Sequence, residues 1–189
     1  MQCIKASVEV EETIKKSRFL GIGIPCQSEN EGLQQLEKIH QQHPNASHIV
    51  FAYRIKTAAG IRHRLYDAGE PSGTAGKPVF QHLEGKDLVN LMLVVIRYFG
   101  GIKLGAGGLT RAYGNVAKKI IENSTVSEYI EFATIQLDLD YKQMQSFEYQ
   151  LKKLDGNIIK QDFSENISLL IKLPEKNVAI LASFFNLKK

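Results

Sequence analysis

Ile4, Ala6, Val8 and Val10 alternate with polar neighbours, the period of a half-buried strand, so residues 4–13 read as one strand and 18–25 as a second, ended by Pro25. Leu33, Leu36, Ile39 and His40 share one face of a helix from about residue 30 to 42, entered past Ser28 or Asn30. His43-Pro44-Asn45 is a turn. His48 to Lys56 and Ile61 to Tyr66 alternate around Thr57-Ala58-Ala59-Gly60, which predicts a hairpin. Residues 67–73 are too rich in turn formers to be regular. A short helix over 75–83 follows, with Pro78 in its first turn. Leu88 to Phe99 reads as a long buried strand, and a glycine-rich segment over 100–108 leads into a helix from about Leu109 to Glu122, with Ala112, Val116 and Ile120 (or Ile121) facing inward.

Beyond residue 130 the pattern is plainer. Phe132 to Asp140 alternates as a strand, and Met144, Phe147, Leu151 and Leu154 mark one face of a helix that Gly156 caps. Ile158–Phe163 and Ile167–Leu173 form a hairpin about Ser164-Glu165-Asn166, and Pro174 opens a last helix through about Phe185. The order βαββα is a ferredoxin-like βαββαβ unit whose final strand is short or missing, which leaves one sheet edge uncovered.

Charge and glycine divide the chain at the same place. Sixteen Lys and Arg against twelve Asp and Glu fall in residues 1–130, and eight of each in 131–189; all six arginines, all five histidines and fourteen of the fifteen glycines lie in the first part. The shift marks a boundary near residues 127–132, giving domains 1–129 and 130–189. With 43% hydrophobic and 23% charged residues the composition is globular, excluding a disordered chain, a collagen-like fibre or a disulfide scaffold. The longest apolar run, Leu91 to Ile96, is far too short to cross a bilayer, and the amino terminus shows no secretory signal, so a soluble cytoplasmic protein with no membrane contact is expected. A net charge of +4 favours an anionic partner without demanding one.

The candidate chemistry sits in two loops, each between a strand and a helix. The first holds Asp67, Gly69, Glu70, Ser72, Gly73, Thr74 and Gly76; the second holds Gly100, Gly101, Gly105, Gly107 and Gly108. Side-chain-poor backbone at a helix start presents N–H groups suited to an anion. Arg97, Lys103 and Arg111 flank the second loop and Lys77 the first, a set suited to phosphate oxygens. With Arg62 and Arg64, which share one side of a strand, they would form a basic stripe, and aromatics beside it, Tyr98 and Tyr113 among them, could stack on unpaired bases. Known phosphate loops do not match. A Walker A loop ending at Gly76-Lys77 would need glycine at 71 and Ser or Thr at 78, and both are proline. A dinucleotide loop from Gly105 would need Gly or Ala at 110, which is Thr110. No positioned base is in view for Ser72 or Thr74, although His48 or His63 could approach, so no catalytic residue is assigned. Asp67 and Glu70 are read as holding the turn or pairing with Arg62 or Arg64. His40, His43 and His48, with Cys26, could suggest a metal, but the His-x-x-His spacing straddles a helix end and lacks an acidic partner, so no metal or other cofactor is expected. Cys3 and Cys26 read as small buried side chains.

Gly69-Glu70-Pro71-Ser72-Gly73-Thr74-Ala75-Gly76-Lys77-Pro78, the run from Arg97-Tyr98-Phe99-Gly100-Gly101 through Arg111-Ala112-Tyr113-Gly114, and the shorter Lys16-Ser17-Arg18-Phe19 and Ala46-Ser47-His48 together resemble the IMPACT family, in its bacterial, YigZ-like branch. The resemblance covers nearly the whole chain. One departure is Ala68, where the family usually has a second acidic residue. The resemblance implies an α+β protein with an amino-terminal domain of the ribosomal protein S5 domain 2-like fold and a ferredoxin-like carboxy-terminal domain similar to the last domain of elongation factor G. Eukaryotic relatives regulate translation through protein contacts that depend partly on an extra domain.

The leading expectation is a non-enzymatic binder of RNA or a ribonucleoprotein, the ribosome among the candidates, acting in translation or its regulation. The alternatives are an enzyme or sensor of a small phosphorylated metabolite bound at the glycine-rich loops, and a protein-interaction module that uses the uncovered edge of the carboxy-terminal domain.

Overall fold

A computed structural model describes residues 1–164 and 166–185. The chain divides into two compact units, Met1–Tyr129 and Ile130–Lys189. The elements of the first are β1 (Gln2–Ile4), β2 (Val8–Ile14), β3 (Ser17–Pro25), α1 (Glu29–Gln42), β4 (His48–Thr57), β5 (Gly60–Tyr66), α2 (Gly76–Gly85), β6 (Leu91–Tyr98), α3 (Ala106–Glu122) and β7 (Val126–Glu128). An antiparallel sheet runs in the order β2-β3-β6-β4-β5, and β1 pairs separately with β7. The stretch read as one strand over 4–13 is thus two: Lys5-Ala6-Ser7 breaks it, and its halves join different sheets.

Strand β6 lies at the centre, which explains its continuous apolar run: both faces are covered. On one side α1 lays Leu36 and Ile39 over Met92, Val94, Ile96, Phe51 and Tyr53. On the other, α2 and α3 lay Val79, Leu83, Leu109, Val116 and Ile120 over Leu91, Leu93, Val95, Val50 and Phe19. Because side chains alternate along a strand, parity assigns each residue to a layer. Arg97 follows Leu91, Leu93 and Val95 to the α2/α3 side, and Tyr98 follows Met92, Val94 and Ile96 to the α1 side.

Two boundaries differ from expectation for local reasons. β6 starts at Leu91 rather than Leu88 because Asn90 takes a left-handed φ of 54° and spends its side chain on Lys56 N–H and Gln27. α3 begins at Ala106, since Gly105, with φ 73°, turns the chain into the helix earlier than the apolar spacing indicates.

The second unit contains β8 (Phe132–Leu139), α4 (Met144–Lys153), β9 (Asn157–Phe163), β10 (Ile167–Pro174) and α5 (Val178–Phe184), with sheet order β8-β10-β9. The third strand of the unit lies between the first two, the ferredoxin-like arrangement. Leu137, Leu139, Leu169, Ile171 and Leu173 pack against Phe147, Leu151 and Leu181. A reduced final strand would fall on residues 186–189, and the hairpin's Glu165 within its tip; both lie outside the described residues. At the end of α4 the Gly156 N–H closes the helix on Leu151 O at 2.8 Å, the capping role expected of it. The left-handed residue there is Asp155, φ 57°, and Gly156 is needed because a Cβ would strike Leu151 and come within 2.9 Å of Leu173 Cβ. Among the described residues no helix is long and apolar enough to cross a membrane.

Candidate functional site

The first glycine-rich loop is closed upon itself. The Asp67 carboxylate accepts the N–H of Gly73 at 2.8 Å, of Ala75 at 3.0 Å and of Gly76 at 2.8 Å. Burial pushes this carboxyl up, but the three donors outweigh it and hold its pKa below the ordinary value. The amides of Gly73, Ala75 and Gly76 are therefore satisfied from within the chain, which corrects the expectation that they serve an external anion. Gly69 and Gly73, with φ of 85° and 76°, supply the turns, and Thr74 Oγ1 donates to Pro71 O at 2.6 Å.

Glu70 leaves this loop for a buried polar cluster. Its Oε1 accepts from Arg97 Nη1 at 2.7 Å and from the Tyr113 hydroxyl at 2.8 Å, with His48 Nε2 at 3.8 Å. Glu70 does not pair with Arg62 or Arg64. Burial, reinforced by the bond to Glu70, pushes the Tyr113 phenol far above its ordinary pKa. Arg97 is 4% exposed, lies 5.5 Å from the Phe19 ring centroid and 5.4 Å from that of Phe99, and donates from Nη2 to Ser17 Oγ at 3.3 Å. Its buried Nε has no partner among the described residues. His48 and Arg97 are cross-strand partners on β4 and β6. His48 Nδ1 lies 2.8 Å from Ala68 O; a carbonyl only accepts, so Nδ1 carries the proton and the other ring nitrogen faces Glu70. Ala68 thus contributes its backbone oxygen, held by a left-handed φ of 51°.

The second loop is open. Gly100 lies against the turn between β2 and β3, where a Cβ would collide with the Lys16 carbonyl. Further on, the start of α3 has no side-chain cap and no acidic residue in its first turn. A helix of 17 residues ending this way presents partial positive charge. That end borders a cleft of about 440 Å³ lined by His48, Glu70, Arg97, Lys103, Gly105 and Leu109, among others. The one carboxylate in this lining is already held by Arg97 and Tyr113, while Lys103 is exposed.

The expected basic stripe does not form as one surface. Arg62 and Arg64 stand opposite Ile55 and Tyr53 and so point to the α1 side, where Arg62 meets Glu29 at 3.5 Å and Arg64 lies over the Phe51 ring. Arg97 is internal and neutralised. Tyr113, fully buried, and Tyr98, bonded to His43 at 2.8 Å on the α1 side, offer no shared stacking platform. Lys77 and Arg111 are exposed on α2 and α3, outside the cleft lining. Lys103 alone of the six cations is both exposed and in the cleft. His48 and Ser17 belong to the site although the charge pattern does not point to them. Both stand in the short Ala46-Ser47-His48 and Lys16-Ser17 strings, and His48 shares the parity of Val50 and Ala52.

Comparison with known proteins gives the same two-part division. Residues 15–121 match the Impact N-terminal domain, and residues 137–185 match a domain of unknown function, DUF1949. An IMPACT family member from Haemophilus influenzae is 38% identical over 95% of this chain and 87% of its own length. The IMPACT family member YigZ of Escherichia coli is 35% identical over 92% of this chain and 86% of its own. A crystal structure of a hypothetical protein superposes with a TM-score of 0.72 at 32% identity, covering 99% of this chain and 94% of that one. With its amino-terminal domain matched and relatives aligned over most of its length, the chain belongs to the IMPACT family.

Proposed function

We propose that the protein acts in translation or its regulation as a non-enzymatic binder of RNA or a ribonucleoprotein in the cytoplasm, and that it seats a phosphate of that ligand in the cleft at the start of α3. The observation that carries this reading is the contrast between the loops. The start of α2 is filled by the chain's own Asp67 carboxylate, whereas the start of α3 is uncapped and borders a cleft with Lys103 exposed. Family membership supports the link to translation, the role carried by its eukaryotic relatives. The contact is local, because Arg62 and Arg64 lie on the α1 side of the sheet, Arg97 is neutralised, and Lys77 and Arg111 lie outside the cleft lining.

The test is fluorescence anisotropy with a short single-stranded RNA between about 50 and 200 mM salt. Lys103→Ala should weaken binding and lower the salt slope by about one. Arg62→Ala with Arg64→Ala, on the other side of the sheet, should change it little. Absence of RNA affinity at low salt overturns the reading.

A second reading rests on the size of the cleft, about 440 Å³, which suits a small phosphorylated metabolite. It expects thermal stabilisation by such a compound in a chain that has no affinity for RNA.

A further inference from the structure

We propose that the cleft at the start of α3 takes the end of an RNA chain, a terminal phosphate monoester, rather than a diester within the chain. This rests on that cleft being the RNA-binding site, and names which part of the RNA enters it.

The cleft holds donors that the chain itself leaves unspent. Leu109 N–H closes the first turn of α3 on Gly105 O at 2.9 Å, so the N–H groups of Ala106, Gly107 and Gly108 precede the first intrahelical bond. A Cβ on Gly105 or Gly107 would meet no atom of another segment within 4 Å, so this bare backbone is open to close approach. Arg97 lines the same cleft with a side chain that is 5% exposed. Its Nη1 and Nη2 are spent on Glu70 and Ser17, while its buried Nε has no partner among the described residues. A buried guanidinium with one N–H unspent, beside an uncapped helix start, is completed by an oxyanion from outside the chain.

The charge of the lining selects the kind of phosphate. Glu70 and Arg97 neutralise one another, and His48, with its proton on Nδ1, adds nothing. Lys103 adds one positive charge and the start of α3 about half a charge. A diester brings a single negative charge to this sum, with chain leaving on both sides. A monoester brings about −1.5 to −2 at neutral pH, with three free oxygens and chain on one side only.

The rest of the lining fits a terminal nucleotide. Pro71, Phe99, Leu104 and Leu109 are apolar, and Phe99 is 47% exposed, a ring that a base can reach. The last base of a strand has a neighbour on one face only, so Phe99 supplies the missing stacking partner. A cleft of about 440 Å³ suits one nucleotide rather than a run of them.

The test compares three versions of one short RNA, labelled internally so that both ends are free: hydroxyl at both ends, phosphate at the 5′ end, and phosphate at the 3′ end. Fluorescence anisotropy at about 100 mM salt should show about ten-fold tighter binding with a terminal phosphate, and the version that gains identifies the end. A hydroxyl-ended RNA one nucleotide longer carries its extra charge as a diester and should gain little. Equal binding of the three short versions, or an equal gain from the longer one, overturns the proposal while RNA binding itself stands; absence of binding by any of them overturns both. Ala106 is exposed and lines the cleft, so Ala106→Glu sets a carboxylate at the start of α3, as Asp67 does at α2. It should abolish the preference for a phosphorylated end without lowering the thermal midpoint, since an acid suits a helix start. If that variant does not fold by circular dichroism, Lys103→Ala takes its place. A preference that survives the variant that folds overturns the proposal.

Discussion

Arg97 Nη1 lies 2.7 Å from Glu70 Oε1, and 4–8% exposure of the two residues leaves this ion pair almost without water. It joins the central strand to the first glycine-rich loop. Tyr113 on α3 donates to the same oxygen, so strand, loop and helix meet at one atom. A buried charge that loses its counter-charge is costly, whereas losing both members together costs much less.

Glu70→Gln should therefore destabilise the first unit by about 3–5 kcal/mol, because Arg97 keeps its charge among neutral partners. Glu70→Gln with Arg97→Met should cost less than the two single changes added together. Urea unfolding of the three variants measures this, and simple additivity would count against the pair as the organising contact.

Asp67 predicts a pH effect of known sign. Its folded pKa lies below the unfolded value, so its contribution is fully present above about pH 4 and is lost as pH falls through the folded pKa. Asp67→Ala removes the carboxylate that three amides share, and should cost about 2 kcal/mol at neutral pH. The difference between wild type and variant should shrink on acidification. A difference that grows there would contradict the assignment.

The end of α4 predicts opposite outcomes at adjacent positions. Asp155 is exposed and left-handed, so Asp155→Gly should stabilise the second unit by about 0.5–1 kcal/mol. Gly156→Ala drives a methyl group into Leu151 and should destabilise it by about 1–3 kcal/mol. Thermal unfolding distinguishes them by direction.

Burial pushes the Cys26 thiol up to about 12, with Glu31 adding to the shift. The thiolate is then negligible at neutral pH, so Cys26 should stay unreactive toward a disulfide reagent in the native chain and become reactive on denaturation. Native reactivity at Cys26, located by mass spectrometry of the labelled peptide, would show that its packing is looser than described.

Much of the architecture was legible because alternation and apolar runs report burial directly. The β6 run, the helix faces of α3 and α4, and both glycine-rich loops are plain in the residues, whereas of the face expected for α1 only Leu36 and Ile39 are buried and Leu33 and His40 are exposed. The electrostatics were not. Arg62, Arg64 and Arg97 look alike in the chain, and their sorting onto two sides of the sheet follows from how β5 and β6 are set against β4, a register that no local pattern records. The pairing of Arg97 with Glu70 spans 27 positions, and the capture of three amides by Asp67 depends on how the turn closes. His48 was in view as a base that could approach Ser72 or Thr74 and as part of Ala46-Ser47-His48; its place beside Glu70 emerges once β4 and β6 are aligned.

The close approach of Gly100 to the Lys16 carbonyl has a consequence for how this chain can vary. Two stretches more than eighty positions apart touch main chain to main chain, and the Gly100 N–H is tied further to Ser17 Oγ at 3.2 Å. Lengthening the β2–β3 hairpin by even one residue would displace the backbone on which Gly100 rests. Insertions on either side are thus tied to one another, and homologues should change length at these two places together or not at all.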